Sequence, residues 1–423
     1  MTMEREEYAK YDEKDAIRYI GLLWHDFGSS IFAGPDIVGQ NLGRKIFMCR
    51  LFAVTSNDPL SPMLAINALN VMKEGHDGSG VGLFLTDLGG EFEKFKNEPI
   101  LSGIFSNEGI KALDRFMIDL DFMVKYKLSF RPTKPTLAGT PKRDNYVIRV
   151  YEYPADWEGL SQEEIQFRLM MVQLQLREMG EKDKSMLIFS FWPDVIMIKE
   201  VGDPLAVAQY LGLDRKELSA RTILSQGRQN TNYSIDIYAC HPFFIQGMST
   251  MTNGENTAFV PIREFLMSRN FPGYVGYKSD SEVFTHILHY MHNKLGMGME
   301  MYKHIITPLK DEEITRHPDG KMLRNLKQSC RPLIIDGPNC VIGCLPDKSM
   351  FMVQDSKKLR PGVVGGRPGI FVFSSEMCGL DAAIPERDIN LDDQPMRYET
   401  VIVRRERQEI EKWNQWDTLP PLH

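Results

Sequence analysis

The run Cys49-Arg50-Leu51-Phe52-Ala53-Val54-Thr55-Ser56 constrains this chain more than any other stretch. It is strand-like, apolar, and opened by a cysteine that directly follows Met48. Removal of Met48, or cleavage after it, would leave a residue carrying a thiol nucleophile and a free α-amine together. The amine can take the thiol proton, directly or through a water, and later return it to a leaving group. The other reading of the same stretch is a buried structural thiol at a strand start.

The chain has 423 residues, of which 43% are hydrophobic and 25% charged, enough for one large domain or two ordinary ones. Its formal charge of −7 leaves no basic excess to neutralise phosphates, which argues against a nucleic-acid partner. Six cysteines in so long a chain are sparse, and Cys340 and Cys344 form one close pair without a matching second pair. Reduced, cytoplasmic thiols are therefore expected rather than disulfides or zinc. No apolar run reaches the roughly 18 residues of a membrane span. The acidic start, Met1 to Lys14, is unlike a secretory or transit peptide.

Residues 1–48 read as a leader: a polar arm, then an amphipathic segment from Ala16 to Phe27 and a Gly/Pro-bearing loop. A propeptide, a docking arm and an early start codon all fit it. After the Cys49 strand, Pro62 opens a helix through Met72. Glu74-Gly75-His76-Asp77-Gly78-Ser79-Gly80 is a glycine-rich turn feeding an apolar strand. It lacks the Lys-Ser/Thr ending of a phosphate loop and reads as a tight turn needing positive φ.

Residues 86–200 read as an elaboration. A helix is expected over Asn107 to Met123 and a loop over Pro132 to Pro141. Asn145 to Tyr153 alternates as a strand, and Ser161 with Glu164 forms a capping-box signal for a helix to about Gly180. Strands are expected at Met186 to Phe191 and Val195 to Ile198, and Asp203-Pro204 opens a short helix to Leu211. Further on, Ala239-Cys240-His241-Pro242-Phe243 is a compact turn. Asn253-Gly254 ends a strand and precedes a helix, Ala258 to Arg269. Ser279-Asp280-Ser281-Glu282 caps a helix from Val283 to Leu295. His286, His289 and His292 share a face of that helix, which reads as a surface or packing face rather than a metal site. Strands follow at Pro332 to Gly343, Met350 to Asp355, Gly369 to Ser374 and Tyr398 to Arg404. Leu359 to Gly366 reads as a turn and Glu376 to Asp388 as a loop. Residues 391–423 are expected to be a last strand and a docking tail, since Trp413 and Trp416 call for a surface to cover them.

Cys49, Asp77-Gly78-Ser79-Gly80, Arg228-Gln229-Asn230-Thr231, His241-Pro242, Asn253-Gly254 and Ser279-Asp280-Ser281-Glu282 occur in an order that resembles the class II, N-terminal-nucleophile glutamine amidotransferases. The likeness is to the glutaminase domain or subunit of glutamate synthase and to the amidotransferase-like subunit of N-methylglutamate synthase. Leu359-Arg360-Pro361, Ser375-Glu376 and Leu380-Asp381-Ala382-Ala383 also resemble that branch. The resemblance covers about residues 49–390. It departs at Arg50, where the family has glycine, and at Glu74-Gly75, where it tends to carry an arginine-glycine pair.

The resemblance implies an α+β fold, the N-terminal-nucleophile hydrolase four-layer α/β/β/α sandwich with two mostly antiparallel sheets. It implies that Cys49 attacks the amide of glutamine to form a γ-glutamyl thioester. Arg228 would hold the substrate carboxylate, Asp280 its ammonium with Thr231 in support, and Asn253 with Gly254 would form the oxyanion hole. No cofactor and no metal are expected in this chain. Ammonia would be channelled to a separate synthase subunit carrying flavin and iron–sulfur centres, with no membrane partner. An N-methylglutamate synthase subunit and a non-catalytic scaffold of the same fold are the alternatives.

Overall fold

The computed structural model describes residues 49–74, 77–130, 145–229, 235–257, 259–269, 279–405, 407 and 409–420. The expected leader, Gly75-His76 of the glycine-rich turn, the Pro132 to Pro141 loop and Thr231 lie outside the described residues.

Sixteen strands, numbered in chain order, form three sheets among the described residues. The first runs β13 (Val363–Arg367), β14 (Ile370–Ser374), β1 (Arg50–Leu60), β8 (Ala220–Arg228), β2 (Gly80–Leu88), β7 (Val195–Glu200). The second runs β16 (Ile410–Asn414), β15 (Glu399–Val403), β12 (Met350–Gln354), β11 (Asn339–Cys344), β10 (Met248–Gly254), β9 (Phe243–Ile245). Every neighbouring pair in both is antiparallel. The two sheets pack face to face, with Leu51, Ala53, Met251, Ile342 and Met352 in one continuous core. β2 and β8 are buried along nearly their whole length and β1 over Arg50 to Ser56, so these stretches show no alternation of buried and exposed positions.

Helices cover both outer faces. On the first sheet lie α1 (Met63–Val71), α4 (Pro204–Leu211) and α10 (Met377–Ala383). On the second lie α5 (Phe259–Ser268), α6 (Glu282–Leu295), α7 (Met299–Ile306), α8 (Asp311–Arg316) and α9 (Gly320–Ser329), over a core that includes Val341, Phe351 and Ile402. The result is the expected α/β/β/α order. The elaboration contributes α2 (Asn107–Asp119), α3 (Gln162–Asp183) and a third sheet in the order β4 (Met123–Phe130), β5 (Asn145–Glu152), β3 (Pro99–Phe105), β6 (Met186–Pro193).

Local signals act as read. The Ser161 hydroxyl accepts from Glu164 N–H while the Glu164 carboxylate accepts from Ser161 N–H, so the capping box starts α3. Asp203 caps α4 through Leu205 N–H, with Pro204 in the first turn. Other expectations are corrected. The helix at Asn107 stops at Asp119, because Asp121 turns the chain at φ 59° and Met123 already starts β4. Residues 377–383 are helical, not a loop: Leu380 and Ala383 pack on β14 and α1. The turn before β14 is itself a strand from Val363, and Pro332 to Pro338 is mostly irregular, so β11 begins only at Asn339. The histidine face of α6 is a packing face in part. His286 and His289 are buried, His286 lies 3.5 Å from Glu282, and His289 Nε2 is 2.7 Å from Gln246 Oε1. In the tail, Trp413 lies against Arg404 and Trp416 stacks on His317 at 5.9 Å between centroids. No helix among the described residues is long and apolar enough to cross a membrane.

Candidate active site

Antiparallel pairing fixes which chain ends meet. β8 runs against both β1 and β2, so its last residue, Arg228, lies beside the start of each: Gly227 pairs with Arg50 and Arg228 with Gly80. Cys49 immediately precedes β1 and is half-buried at this same edge. Gln229 N–H points at the Cys49 sulfur, with 3.5 Å between nitrogen and sulfur, and Gln229 O lies 3.7 Å from it.

From the second sheet, β10 ends at the same place. Asn253 Nδ2 donates to the Cys49 carbonyl at 2.9 Å, and Gly254 follows it, paired with Asn339 of β11. Asp280 arrives on the segment before α6. Its Oδ2 accepts from Asn256 N–H at 2.8 Å and its Oδ1 from the Ser279 hydroxyl at 3.4 Å. Thr252 on β10 donates to the Ser281 hydroxyl at 2.7 Å, tying that segment to the strand that carries Asn253. Of the six residues read from the sequence, Cys49, Arg228, Asn253, Gly254 and Asp280 thus share one rim of the two-sheet sandwich, and Thr231 lies outside the described residues.

The charges converge electrostatically as well. Burial raises the Cys49 thiol above its ordinary value, the Gln229 N–H and the Arg228 guanidinium oppose that, and Asp280 and Asp77 add to it. The net direction is upward, so at neutral pH the sulfur is a thiol and its chemistry needs a base. Burial also raises the Asp280 carboxyl, against the hydrogen bonds from Asn256 and Ser279. An ammonium placed beside Asp280 would stabilise the carboxylate that burial disfavours.

The glycine-rich turn takes the shape its sequence requires. Gly78 has φ 73° and Gly80 φ 144°, and the Asp77 carboxylate accepts from both the N–H and the hydroxyl of Ser79. Arg50 turns to the helical layer, as strand alternation dictates for the residue after Cys49. Its Nε donates to Met72 O at 2.9 Å and lies 2.8 Å from Glu376 Oε1, and its Nη2 reaches Glu74 O at 3.4 Å. Arg50 therefore pins the start of β1 to the segment that leads from α1 into the Asp77 turn.

Behind these groups, the 240–242 segment lies tight against β2. A Cβ on Gly82 would sit 1.8 Å from His241 O. Gly82→Ala is expected to destabilise the protein by about 1–3 kcal/mol, read as a lower urea midpoint, because backbone rather than a movable side chain blocks the methyl. The sequence reading also left Gln226, His241 and Thr252 without roles. The structure joins them in one hydrogen-bonded group directly behind Arg228 and Asn253. The available signal was position: each stands within two residues of one of the motif residues, or inside a motif itself.

No protein-family model matches the chain, and no curated protein matches it. Among solved structures the chain is similar to a glutamine phosphoribosylpyrophosphate amidotransferase from B. subtilis complexed with ADP and GMP, and to a structure described as the allosteric regulatory enzyme of purine biosynthesis. Each is 11% identical to it, with a TM-score of 0.45, over 88% of this chain and 50% of the other. The chain spans about half the length of the solved structures it matches.

Proposed function

We propose that this chain is a glutaminase that works once Cys49 becomes the first residue. The observation that carries the reading is the meeting of a nucleophile, an amide donor and two opposite charges on one rim: Asn253 Nδ2 stands 2.9 Å from the Cys49 carbonyl, and Arg228 and Asp280 both act on the Cys49 thiol. Glutamine presents a carboxylate, an ammonium and a side-chain amide. Arg228 is suited to the first and Asp280 to the second, which leaves the amide carbon for the sulfur.

In the reaction, the free α-amine of Cys49 takes the thiol proton and the sulfur bonds the amide carbon. The oxyanion so formed is held by the Asn253 side chain and the Gly254 N–H. The carbon–nitrogen bond then breaks, the Cys49 ammonium protonates the leaving nitrogen, and ammonia departs from a γ-glutamyl thioester. A water, deprotonated by the same amine, cleaves the thioester to give glutamate and the free thiol. The raised thiol of Cys49 makes the amine necessary rather than incidental.

The ammonia would pass to a separate synthase subunit, as in a split glutamate synthase. Support for that finer reading is the motif likeness at Leu359-Arg360-Pro361 and Leu380-Asp381-Ala382-Ala383. A second reading rests on one fact of the sequence: Cys49 follows Met48, so in the uncleaved chain its nitrogen is an amide and cannot act as a base. The uncleaved chain would then bind without turning over, as a precursor or a scaffold. Comparing glutamine hydrolysis by a chain that begins at Cys49 with that of the chain from Met1 separates the two.

A further inference from the structure

Three segments carry the groups that would grip glutamine: the end of β8 with Arg228, the end of β10 with Asn253, and the segment before α6 with Asp280. Nothing covalent fixes them to one another. Four side chains do so by hydrogen bonds, and His241 is the centre.

The His241 backbone N–H donates to Gln226 Oε1 at 2.8 Å. Its Nδ1 receives the Thr252 N–H at 3.1 Å and lies 2.9 Å from Gln226 Nε2. Gln226 Nε2 also reaches Thr252 O at 3.4 Å. Both partners of Nδ1 are donors, so Nδ1 is an acceptor and the ring proton sits on Nε2. Gln226 stands two residues before Arg228 on β8, and Thr252 one residue before Asn253 on β10. The Thr252 hydroxyl then donates to Ser281, the neighbour of Asp280. One imidazole nitrogen thus links β8 to β10, and the Thr252 hydroxyl carries the link on to the segment before α6.

We propose that His241, as its Nε2–H tautomer, is the positioning residue that holds Arg228, Asn253 and Asp280 in the register glutamine requires. The proposal rests on the glutaminase reading. Its physical basis is satisfaction: a protonated Nδ1 would face two donors, leaving a buried clash in place of two hydrogen bonds. His241 is 4% exposed, and burial together with the charges of Lys199 and Arg228 holds the ring neutral, well below its ordinary pKa. It touches no reacting atom in the proposed chemistry, so its effect is on placement. Such displacement costs about 10²-fold in rate when it reaches about 1 Å.

The test uses the chain that begins at Cys49. His241→Phe keeps a planar ring but removes the acceptor. It is expected to lower kcat/KM for glutamine about 10²-fold, through both KM and kcat, while the rate of Cys49 alkylation by iodoacetamide, which needs no grip on an amino acid, stays within about threefold. His241→Asn, whose Oδ1 can accept the Thr252 N–H, is expected to recover kcat/KM to within about tenfold of wild type. Nitrogen NMR of the ring signals that vanish in His241→Asn is expected to show a proton on Nε2 alone. If His241→Phe fails to fold, Gln226→Met removes one donor to the same nitrogen and is expected to raise KM in its place.

The proposal is overturned if a folded His241→Phe keeps wild-type kcat/KM, if asparagine rescues no better than phenylalanine, or if NMR finds the proton on Nδ1. If the wild-type chain from Cys49 hydrolyses no glutamine, the glutaminase reading fails instead. The NMR result then decides the linkage at His241 by itself.

Discussion

Asp280→Asn is expected to lower kcat/KM for glutamine by roughly 30- to 5,000-fold, chiefly through KM. The carboxylate is half-buried and held by Asn256 N–H and the Ser279 hydroxyl, so in the proposed reaction it would already be aimed when a substrate ammonium arrives. Removing one partner of a buried, hydrogen-bonded charge pair costs about 2–5 kcal/mol, which is the fold-change just given. The pH dependence carries a sign. Burial raises the Asp280 carboxyl above its ordinary value. The charged form that binds ammonium is present above that raised value and is lost as pH falls through it. KM for glutamine is therefore expected to climb on the acid side at a higher pH than an exposed aspartate would give. This limb should be missing in Asp280→Asn, whose side chain does not titrate. A pH profile of kcat/KM for both proteins checks the point.

Asn253→Ala is expected to lower kcat by about 10²- to 10³-fold with little change in KM, the cost of one oxyanion donor. Asn253 is 2% exposed, and its amide nitrogen is parked on the Cys49 carbonyl. In the proposed chemistry it would meet the oxyanion, which exists neither in the free enzyme nor in bound glutamine. The split between kcat and KM separates it from Asp280. Steady-state kinetics on both variants, each checked for folding by thermal melting, tests the division of labour.

The fold class and the candidate residues are both legible through the order of the motifs, and the elements between them only in part, for a physical reason. Arg228, Asn253-Gly254 and Asp280 each lie in a polar stretch, so no local contrast marks them and only the order of the motifs does. The local signals that held are chemically specific: the Ser161–Glu164 box, and Asp203 with Pro204. What escaped notice is packing. β3 is buried at all seven positions and shows no alternation, so Pro99 to Phe105 carries no strand period. α7, α8 and α9 are short, and they pack chiefly on one another and on α6. α10 begins at Met377 without a side-chain cap, so the stretch reads as a loop until β14 and α1 are there to cover Leu380 and Ala383. The hub at His241 was hidden for the same reason. A buried histidine is an ordinary core residue until the strands that donate to it are in place.

Glutamine turnover by the chain that begins at Cys49, beside the same chain with Cys49→Ala and the chain from Met1, tests the central claim most directly. The account predicts release of glutamate and ammonia in equal amounts from the first protein alone. Equal activity in the Met1 chain, with residues 1–48 shown by intact mass to be still attached, would contradict the role given to the Cys49 amine. Activity that survives Cys49→Ala, or none in any of the three, would contradict the glutaminase assignment itself.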